Sequence, residues 1–205
     1  YFVVNDSFYL KALPQAHLPE GVIVDSLSRV AAKKPDFIAR YYSKIASTDE
    51  DAITALNTML VQDGLLVYVP KNVKVDRAIQ VINILRSDVD LMVNRRVLIL
   101  LEEGAEAKFL FCDHSADDRN FLSTQVIEAY VGENANLELN CLEETHLKNT
   151  RVSNVYIQQQ ANSSVNHNVI TLHNGVTRNR LDLVFEGEGA ECHCNGCVIA
   201  DKNQH

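Results

Sequence analysis

Over the first 63 residues, apolar positions recur at helical spacing. Asp25 or Ser26 can cap the stretch "SLSRVAAKK", and Pro35 is placed to begin a further helical segment. A clearer helix is predicted for "EDAITALNTMLVQ", with Gly64 as its left-handed C-cap. The apolar residues of this helix share one face, which consists of Ile53, Leu56, Met59 and Leu60. The pattern predicts a small, mostly helical N-terminal region over residues 1–63.

From residue 64 to residue 205 the apolar positions change from a helical period to a period of two. The alternation is typical of half-buried strands and is seen in "GLLVYVP", "RRVLILLEE", "STQVIEAYVG", "ANLELNCLEE" and "NRLDLVFEG". The intervals between these runs contain little amphipathic helix, which disfavours helical crossovers between parallel strands. The second region is therefore predicted to be built of strands.

A turn phrase recurs within this second region. Aligning the phrases on a central small or branched residue places Val73, Ala105, Ala135, Ala161 and Ala190 in one column, with steps of about 30 residues. Such a period is typical of a solenoid, and each step has room for two strands and two turns. We therefore predict a mainly β fold, a parallel β-helix of two-stranded coils, with an antiparallel sandwich as the alternative.

Composition and charge disfavour some classes of partner and indicate the cellular compartment. The net charge is −8 and the 19 Lys and Arg residues are scattered, so a nucleic-acid partner is not expected. No apolar run is long enough for a membrane span, and the start lacks the features of a secretory signal, so we expect a cytoplasmic protein without a membrane partner. An odd number of cysteines, five, indicates free thiols. Because the sequence starts at Tyr1 rather than Met, we expect it to be part of a longer protein.

The cysteines near the end of the sequence allow two interpretations. Cys192, Cys194 and Cys197 lie in "ECHCNGC" with His193 among them, as metal or cluster ligands could. However, Cys194 and Cys197 form the one knuckle-like pair in the sequence, whereas a tetrahedral zinc site needs four ligands.

The repeat favours packing for these thiols. It places Cys192 in a column with Ala107, Leu137 and Ser163, and Cys194 in a column with Phe109, Leu139 and Val165, while His193 points outward. A free cysteine behaves in such a column as a small apolar residue. Cys112 and Cys141 are interpreted in the same way, and metal binding by the 192–197 cysteines stays the alternative.

Other polar residues suggest chemistry only weakly. His114 lies in "CDHSADDRN", which could hold a metal or a general base but is better explained as a solvated turn. His167 and His173 flank a strand, and their default role is structural, with a turn at "HNG".

Two further features near the end also have simple explanations. Arg178, Arg180 and Asp182 should form an exposed ladder that could serve a partner surface or solubility. Gly187 and Gly189 are not followed by the Lys-Ser/Thr of a phosphate loop, which disfavours nucleotide binding.

Several stretches in this order resemble the SufD family of iron–sulfur cluster assembly proteins: "ALNTMLVQDGLLVYVPKNVKVDRAIQV", "LEEGAEA", "GENANLE", "RNRLDLVFEGEGAEC" and "NGCVIADKNQH". The resemblance runs from about residue 20 to the end. SufB is related, but SufB-like chains carry a cysteine soon after the "EGA" turn, and "DHSADD" beyond Cys112 does not continue that pattern. The resemblance therefore favours SufD.

The resemblance implies a right-handed parallel β-helix after a helical N-terminal region, with a SufC-binding helical region beyond residue 205. It also implies a non-catalytic scaffold that acts with SufB and the SufC ATPase on a nascent iron–sulfur cluster, and that is able to form a homodimer. The family's functional histidine and cysteine lie downstream of residue 205, and leucine-like residues are common at the positions of Cys194 and Cys197.

We thus predict no catalytic, cofactor-binding or metal-binding residue within this sequence, and no enzyme activity. Two other classes stay open. One is a metal- or cluster-binding redox protein that uses the 192–197 cysteines. The other is a β-helix enzyme acting on polysaccharides, which is disfavoured because the chain has no tryptophan for sugar stacking.

Overall fold

The computed structural model describes residues 1–9, 18–201 and 204–205. The N-terminal elements are β1 (Phe2–Val4), β2 (Ser7–Tyr9), β3 (Ile23–Ser26), α1 (Leu27–Lys33), α2 (Pro35–Ala39) and α3 (Ala52–Leu60). The strands that follow are β4 (Leu65–Val69), β5 (Ile79–Leu85), β6 (Leu91–Leu101), β7 (Glu106–Ser115), β8 (Phe121–Val131), β9 (Asn136–Glu144), β10 (Asn149–Gln159), β11 (Ser164–Leu172), β12 (Val176–Phe185) and β13 (Glu191–Ile199).

In the described residues these strands form a β-solenoid with two facing sheets. Sheet A has the order β13-β11-β9-β7-β5-β1-β2, and sheet B has the order β12-β10-β8-β6-β4-β3. From β4 to β13 the chain alternates between the sheets, so that each pair of successive strands makes one coil, and equivalent strands of neighbouring coils pair in parallel. The predicted mainly β fold with stacked two-stranded coils is confirmed.

The core of the solenoid consists of inward columns in which each coil repeats the chemistry of the one before it. In sheet B one column runs through Leu65, Val97, Ile127, Val155 and Leu181. All five belong to the main apolar cluster, and the first four are buried. Because every strand alternates inward and outward residues, the period of two in the sequence marks which side chains enter this core.

The strand pairing at the corners of the coils shows that one residue of the predicted repeat column was misaligned. Ser163, not Ala161, follows Ala135 in the column, because Ser164 pairs with Asn136. The preceding residue of each coil has a positive φ, and this set is Asn72, Gly104, Asn134, Asn162 and Gly189. Asn and Gly are the residues that adopt this left-handed conformation most readily. The left-handed corner is thus a better marker of the repeat than the alanine used to align it.

The N-terminal region contributes strands as well as the predicted helices. β1 pairs in parallel with β5, and β3 pairs antiparallel with β4, so both sheets extend into this region. The predicted helix starts are confirmed: Ser26 Oγ accepts a hydrogen bond from the Arg29 N–H at 3.1 Å, and Pro35 begins α2.

The apolar face of α3 is not the face that the helix buries. Its buried residues are Thr54 and Asn57, whereas Met59 is 72% exposed. The reason is that the outer face of sheet B beneath α3 is polar. Asn57 Nδ2 donates to Thr124 Oγ1 at 2.9 Å, and Thr54 Oγ1 lies 2.8 Å from the Tyr156 hydroxyl. The helix therefore docks through hydrogen bonds rather than through its apolar stripe.

A buried ion pair fixes the loop between α2 and α3 to the same face. Glu128 accepts hydrogen bonds from the backbone N–H groups of residues 43–46 at 3.0–3.4 Å. Its partner Arg96 lies 2.5 Å away, and both side chains are fully buried. The guanidinium of Arg96 also lies 4.5 Å from the ring centre of Tyr42. One carboxylate thus satisfies the loop backbone and neutralises a buried cation.

Gly64 has a different role from the predicted C-cap. The residue after α3 is Val61 in an extended conformation, and Gly64 has no positive φ. A Cβ at Gly64 would collide with the carbonyl oxygen of Arg96. The glycine therefore permits the close approach of β4 to β6.

Gly64→Ala should destabilise the protein by about 1–3 kcal/mol, because the backbone of β6 must move to admit the new methyl group. Urea unfolding followed by circular dichroism measures the effect. Gly196→Ala is the matched control, since nothing lies within 4 Å of a Cβ at that position. Equal unfolding midpoints for the two variants would contradict this account of Gly64.

Glu128→Gln should destabilise the protein by about 3–5 kcal/mol, because the Arg96 charge is left buried without its anion. Limited proteolysis should also cut residues 43–46 faster than in the parent chain. Glu144→Gln removes a charge from the exposed end of β9 and is the control. If both variants behaved alike, Glu128 would not anchor the loop.

Candidate functional site

Charged side chains lie inside the coil, at the corner where sheet A ends. Asp113 and Glu143 are neighbours in the sheet A ladder and point inward. Arg151 reaches across from sheet B and lies between them, 2.8 Å from each carboxylate. Arg95 pairs with the other oxygen of Asp113 at 3.0 Å. This alternation of charge lets two stacked carboxylates share the interior without direct repulsion.

Arg95 and Arg151 keep Asp113 ionised. Burial raises the pKa of Asp113, but Arg151, Arg95 and the hydrogen bond from Asn83 lower it by more, so the net pKa lies below the ordinary aspartate range. For Arg151, burial lowers the pKa, and Glu143 and Asp113 raise it above its usual value. Asp113 and Arg151 thus form a buried pair of opposite charges, which is costly to bury unless both partners are in place.

The network continues to a cavity at the β13 end of the coil. Glu143 accepts hydrogen bonds from Thr171 Oγ1 at 2.7 Å and from Asn179 Nδ2 at 3.0 Å. Beyond them lies a cavity of about 300 Å³, lined on its polar side by Glu143, His167, Thr171, Asn179 and two cysteines, Cys141 and Cys194. This cavity brings the interior charges together with thiols, and we take it as the candidate functional site.

Burial shifts the pKa values of His167 and Cys141 in this cavity and of Cys192 next to Cys194. It lowers the pKa of His167, whose Nδ1 lies 3.3 Å from the carbonyl oxygen of Leu139. It raises the pKa of Cys141 to about 12. It also raises the pKa of Cys192 to about 12, with the hydrogen bond to Cys194 adding to the effect. Burial therefore favours the neutral forms of His167, Cys141 and Cys192, and a protonated thiol is a poor nucleophile.

The cysteine predictions are confirmed in part. Cys112 and Cys141 are buried, as expected for packing residues, whereas Cys194 and Cys197 are exposed. Both lie on β13, which is the edge strand of sheet A in the described residues. The alignment also changes. Cys192 lies beside Val165, and Cys194 lies beside His167, instead of Ser163 and Val165.

The structure separates the knuckle-like pair and forms a different one. Cys194 and Cys197 are three residues apart on a strand and so point to opposite faces. Cys192 and Cys194 share the inward face, and their Sγ atoms are 3.5 Å apart. In the part of the chain that the structure describes, no group of three or more His, Cys, Asp or Glu side chains is placed to hold a metal ion.

The other candidate histidines have structural positions. His114 lies within strand β7 rather than in a loop, so the predicted solvated turn is wrong. The reason is that β7 continues past Asp113, whose side chain points inward, as far as Ser115, and the chain turns only after that residue. His167 is buried in β11, in line with its predicted structural role. His173 has a positive φ at the corner between β11 and β12, which belong to different sheets, so its turn does not close a hairpin.

The predicted ladder of Arg178, Arg180 and Asp182 is present, but it faces a partner within the chain. Arg180 lies 3.1 Å from Asp51 and 2.8 Å from Asp182, and Arg178 lies 3.8 Å from Asp51. Asp51 is the N-cap of α3. The ladder thus attaches the N-terminal region to β12. Gly187 and Gly189 lie in the corner before β13, where Gly189 has the left-handed conformation of the repeat.

Sequence reasoning did not identify the interior charges. A signal was present, because Asp113 follows Phe109 and Phe111 at the inward spacing of a strand. In the same way, Arg151 precedes Ser153 and Val155 on the inward face of β10. Charged residues at inward positions of a predicted strand are rare unless they are paired.

Comparison with known proteins decides the family. Residues 1–81 match the SufBD protein N-terminal region, and residues 83–205 match the SufBD core domain of the SUF system for iron–sulfur cluster assembly. The chain belongs to the SufBD family. Its membership ties it to iron–sulfur cluster assembly and confirms the resemblance seen in the sequence. The boundary predicted between residues 63 and 64 stays a prediction.

Curated relatives of this SufBD chain come from plants and bacteria. The SufBD family protein ABCI9 of Arabidopsis thaliana is 31% identical over 119 residues, which cover 58% of this chain and 25% of the relative. SufD of Bacillus subtilis is 30% identical over 114 residues, covering 55% of this chain and 24% of the relative. A SufBD family protein of Staphylococcus epidermidis is 23% identical over 189 residues, covering 90% and 40%. The matches thus span less than half of each relative.

Within residues 1–9, 18–201 and 204–205, the SufBD chain has no helix that is long and apolar enough to cross a bilayer.

Asp113→Asn should lower stability at pH 7 and flatten its decline in acid. Because the folded-state pKa of Asp113 is depressed, its contribution is complete above the unfolded pKa of about 3.9 and is lost as the pH falls towards the folded value. Melting temperatures from pH 7 to pH 2 test this, with Asp88→Asn as the control for loss of one exposed charge. Parallel profiles for the parent and Asp113→Asn would show that Asp113 is not held ionised.

Proposed function

We propose that this chain is part of a SufD-like, non-catalytic scaffold subunit, which acts with a SufB-like protein and a SufC-like ATPase to assemble iron–sulfur clusters. The observation that carries the proposal is the match of the SufBD core domain to residues 83–205, which contain the coils from β6 onward. The relative named SufD in Bacillus subtilis favours the SufD-like assignment. The nascent cluster is the cargo of the complex, and this stretch supplies no resident cofactor.

The architecture supports a scaffold more than an enzyme. The interior carboxylates Asp113 and Glu143 are both paired with Arg151, and Asp113 also pairs with Arg95, so their oxygens are occupied by structural ion pairs. The thiols Cys141 and Cys192 are kept protonated by burial. A rigid stack of coils instead provides a long surface of fixed geometry, which suits the positioning of partner proteins.

We propose that partner chains associate at the β13 end of the solenoid. Apolar side chains at this end are exposed in the described residues, among them Phe185, Val198 and Ile199. The edge strands β12 and β13 also present unpaired backbone groups. We propose that further coils of the full-length protein cover this edge, and that a SufB-like chain, or a second copy in a homodimer, associates beyond them. The reducing cytoplasm suits the free thiols.

The proposal is tested by purifying the tagged full-length protein from its own cells at native level and identifying the co-purifying chains by mass spectrometry. A SufB-like chain and an ATPase should be recovered. A Cys192→Ser, Cys194→Ser double variant should recover the same partners, because these thiols have no part in the scaffold role. Recovery of a strict monomer with neither partner would contradict the proposal.

A further inference from the structure

Helices α1, α2 and α3 pack on sheet B, whereas the outer face of sheet A carries an apolar stripe. Its main column runs through Phe2, Ile82, Cys112, Leu142 and Ile170, which are ladder neighbours in β1, β5, β7, β9 and β11. Because the residues on either side of each one in its strand face the core, these side chains point outward. In the part of the chain that the structure describes, no helix packs on this stripe.

Three more apolar side chains widen the stripe. Ile84 and Leu172 lie one outward step further along β5 and β11, and Leu110 lies one outward step before Cys112 in β7. All three are partly exposed, and Ile170 in the main column is 43% exposed. Single apolar residues on a surface are ordinary, but a contiguous apolar area marks a contact surface.

The two flanks of the stripe differ in chemistry. On one flank, Asn168 Nδ2 donates to Asn140 Oδ1 at 2.8 Å, so this side is neutral and its amides bind each other. On the other flank, Glu144 is exposed and lies beside Leu172 in the ladder. A partner laid along the stripe therefore meets uncharged amides on one side and a carboxylate on the other.

The dimensions of the stripe favour a helix over a second copy of this chain. Five strands at a spacing of about 4.8 Å give a length of about 19 Å, and two outward columns give an area on the order of 300 Å². A stable protein interface needs about 800 Å² on each partner. The net charge of −8 also disfavours contact between two copies. A helix of about 13 residues, with a diameter of about 10 Å, matches the stripe in length and width.

Backbone pairing rules out strand addition on this face. Strands β5, β7, β9 and β11 each lie between two ladder partners, so their N–H and C=O groups are already used. A partner can therefore contact the stripe only through side chains. The chain itself shows this solution on sheet B, where Leu27 of α1 and Ile38 of α2 pack in one cluster with Leu66 and Leu98.

We propose that this stripe is the docking surface for an amphipathic helix of a protein partner. The helix lays apolar residues spaced three and four apart on the stripe and places a basic residue beside Glu144. The inference rests on the proposed scaffold function, and it adds a surface on which the scaffold holds a partner.

The test uses the full-length protein with Ile170→Cys, labelled with maleimide either alone or in the complex that co-purifies with it. Mass spectrometry of the peptide that contains residue 170 measures the labelling rate. Labelling should be at least tenfold slower in the complex, because the helix covers the stripe. Val89→Cys is the matched control, since Val89 is 60% exposed between β5 and β6, and its rate should not change.

Three other outcomes overturn the proposal. Slow labelling of residue 170 in the protein alone means that the full-length chain covers the stripe itself. Fast labelling in both states means that nothing covers the stripe. Equal slowing at residue 89 means that the protection is not specific to the stripe. If partners co-purify in these cases, the scaffold proposal stands; if no partner co-purifies, both proposals fail.

Leu142→Arg gives an independent measurement, because a charge in the stripe opposes contact with an apolar helix face. The amount of partner recovered per tagged protein should fall at least fivefold. Glu144→Gln should cause a smaller loss, about threefold, as for an exposed ion pair. Leu122→Arg is the matched control, since Leu122 is 38% exposed on the outer face of sheet B. Circular dichroism should show that all three variants fold, and equal recovery with Leu142→Arg and Leu122→Arg would contradict the proposal.

Discussion

Parallel, in-register stacking of the coils is the constraint on which the rest of this structure depends. Each residue lies beside the equivalent residue of the next coil, so a side chain must suit its own position and those of its neighbours above and below. Apolar columns meet this condition through packing. Charged columns meet it only if an opposite charge enters from the facing sheet, as Arg151 does between Asp113 and Glu143. The interior network is a direct consequence of stacking two carboxylates.

The same constraint explains how the N-terminal region is attached. Helices α1 and α2 pack on outward-facing leucines of sheet B, which are Leu66, Leu98 and Leu100. Beneath α3 the outer face instead presents Thr124 and Asn154, so this helix cannot dock by apolar contact alone. In α3, Thr54 accepts a hydrogen bond from Asn154 and Asn57 donates one to Thr124. The loop before α3 is held by Glu128, which also pairs with Arg96. Buried polar contacts of this kind demand one geometry, because a shifted helix would leave donors without acceptors. The N-terminal region is thereby fixed in register with the coils.

The match to the SufBD core domain covers the coils from β6 onward, so most of the repeating part of the fold lies within the family's core domain. A stack of coils offers its partners edges and faces of fixed spacing, and this chain places its free edges at β12 and β13. The thiols that first suggest a metal knuckle are arranged by the same geometry. Strand alternation turns Cys197 away from Cys194 and brings Cys192 and Cys194 together. The same cysteine spacing that would bring Cys194 and Cys197 together in a zinc knuckle separates them in a strand.

The sequence alone determined the class of fold, because a period of two and a repeat near 30 residues leave few ways to bury the apolar positions. It also determined the helix starts at Ser26 and Pro35, since capping depends on local hydrogen bonds and on proline geometry. Only the tertiary structure decided that α3 buries Thr54 and Asn57, that Gly64 meets Arg96, and that Arg151 joins two carboxylates. These facts depend on which strand or helix lies opposite, and such contacts between distant segments leave no local period in the sequence.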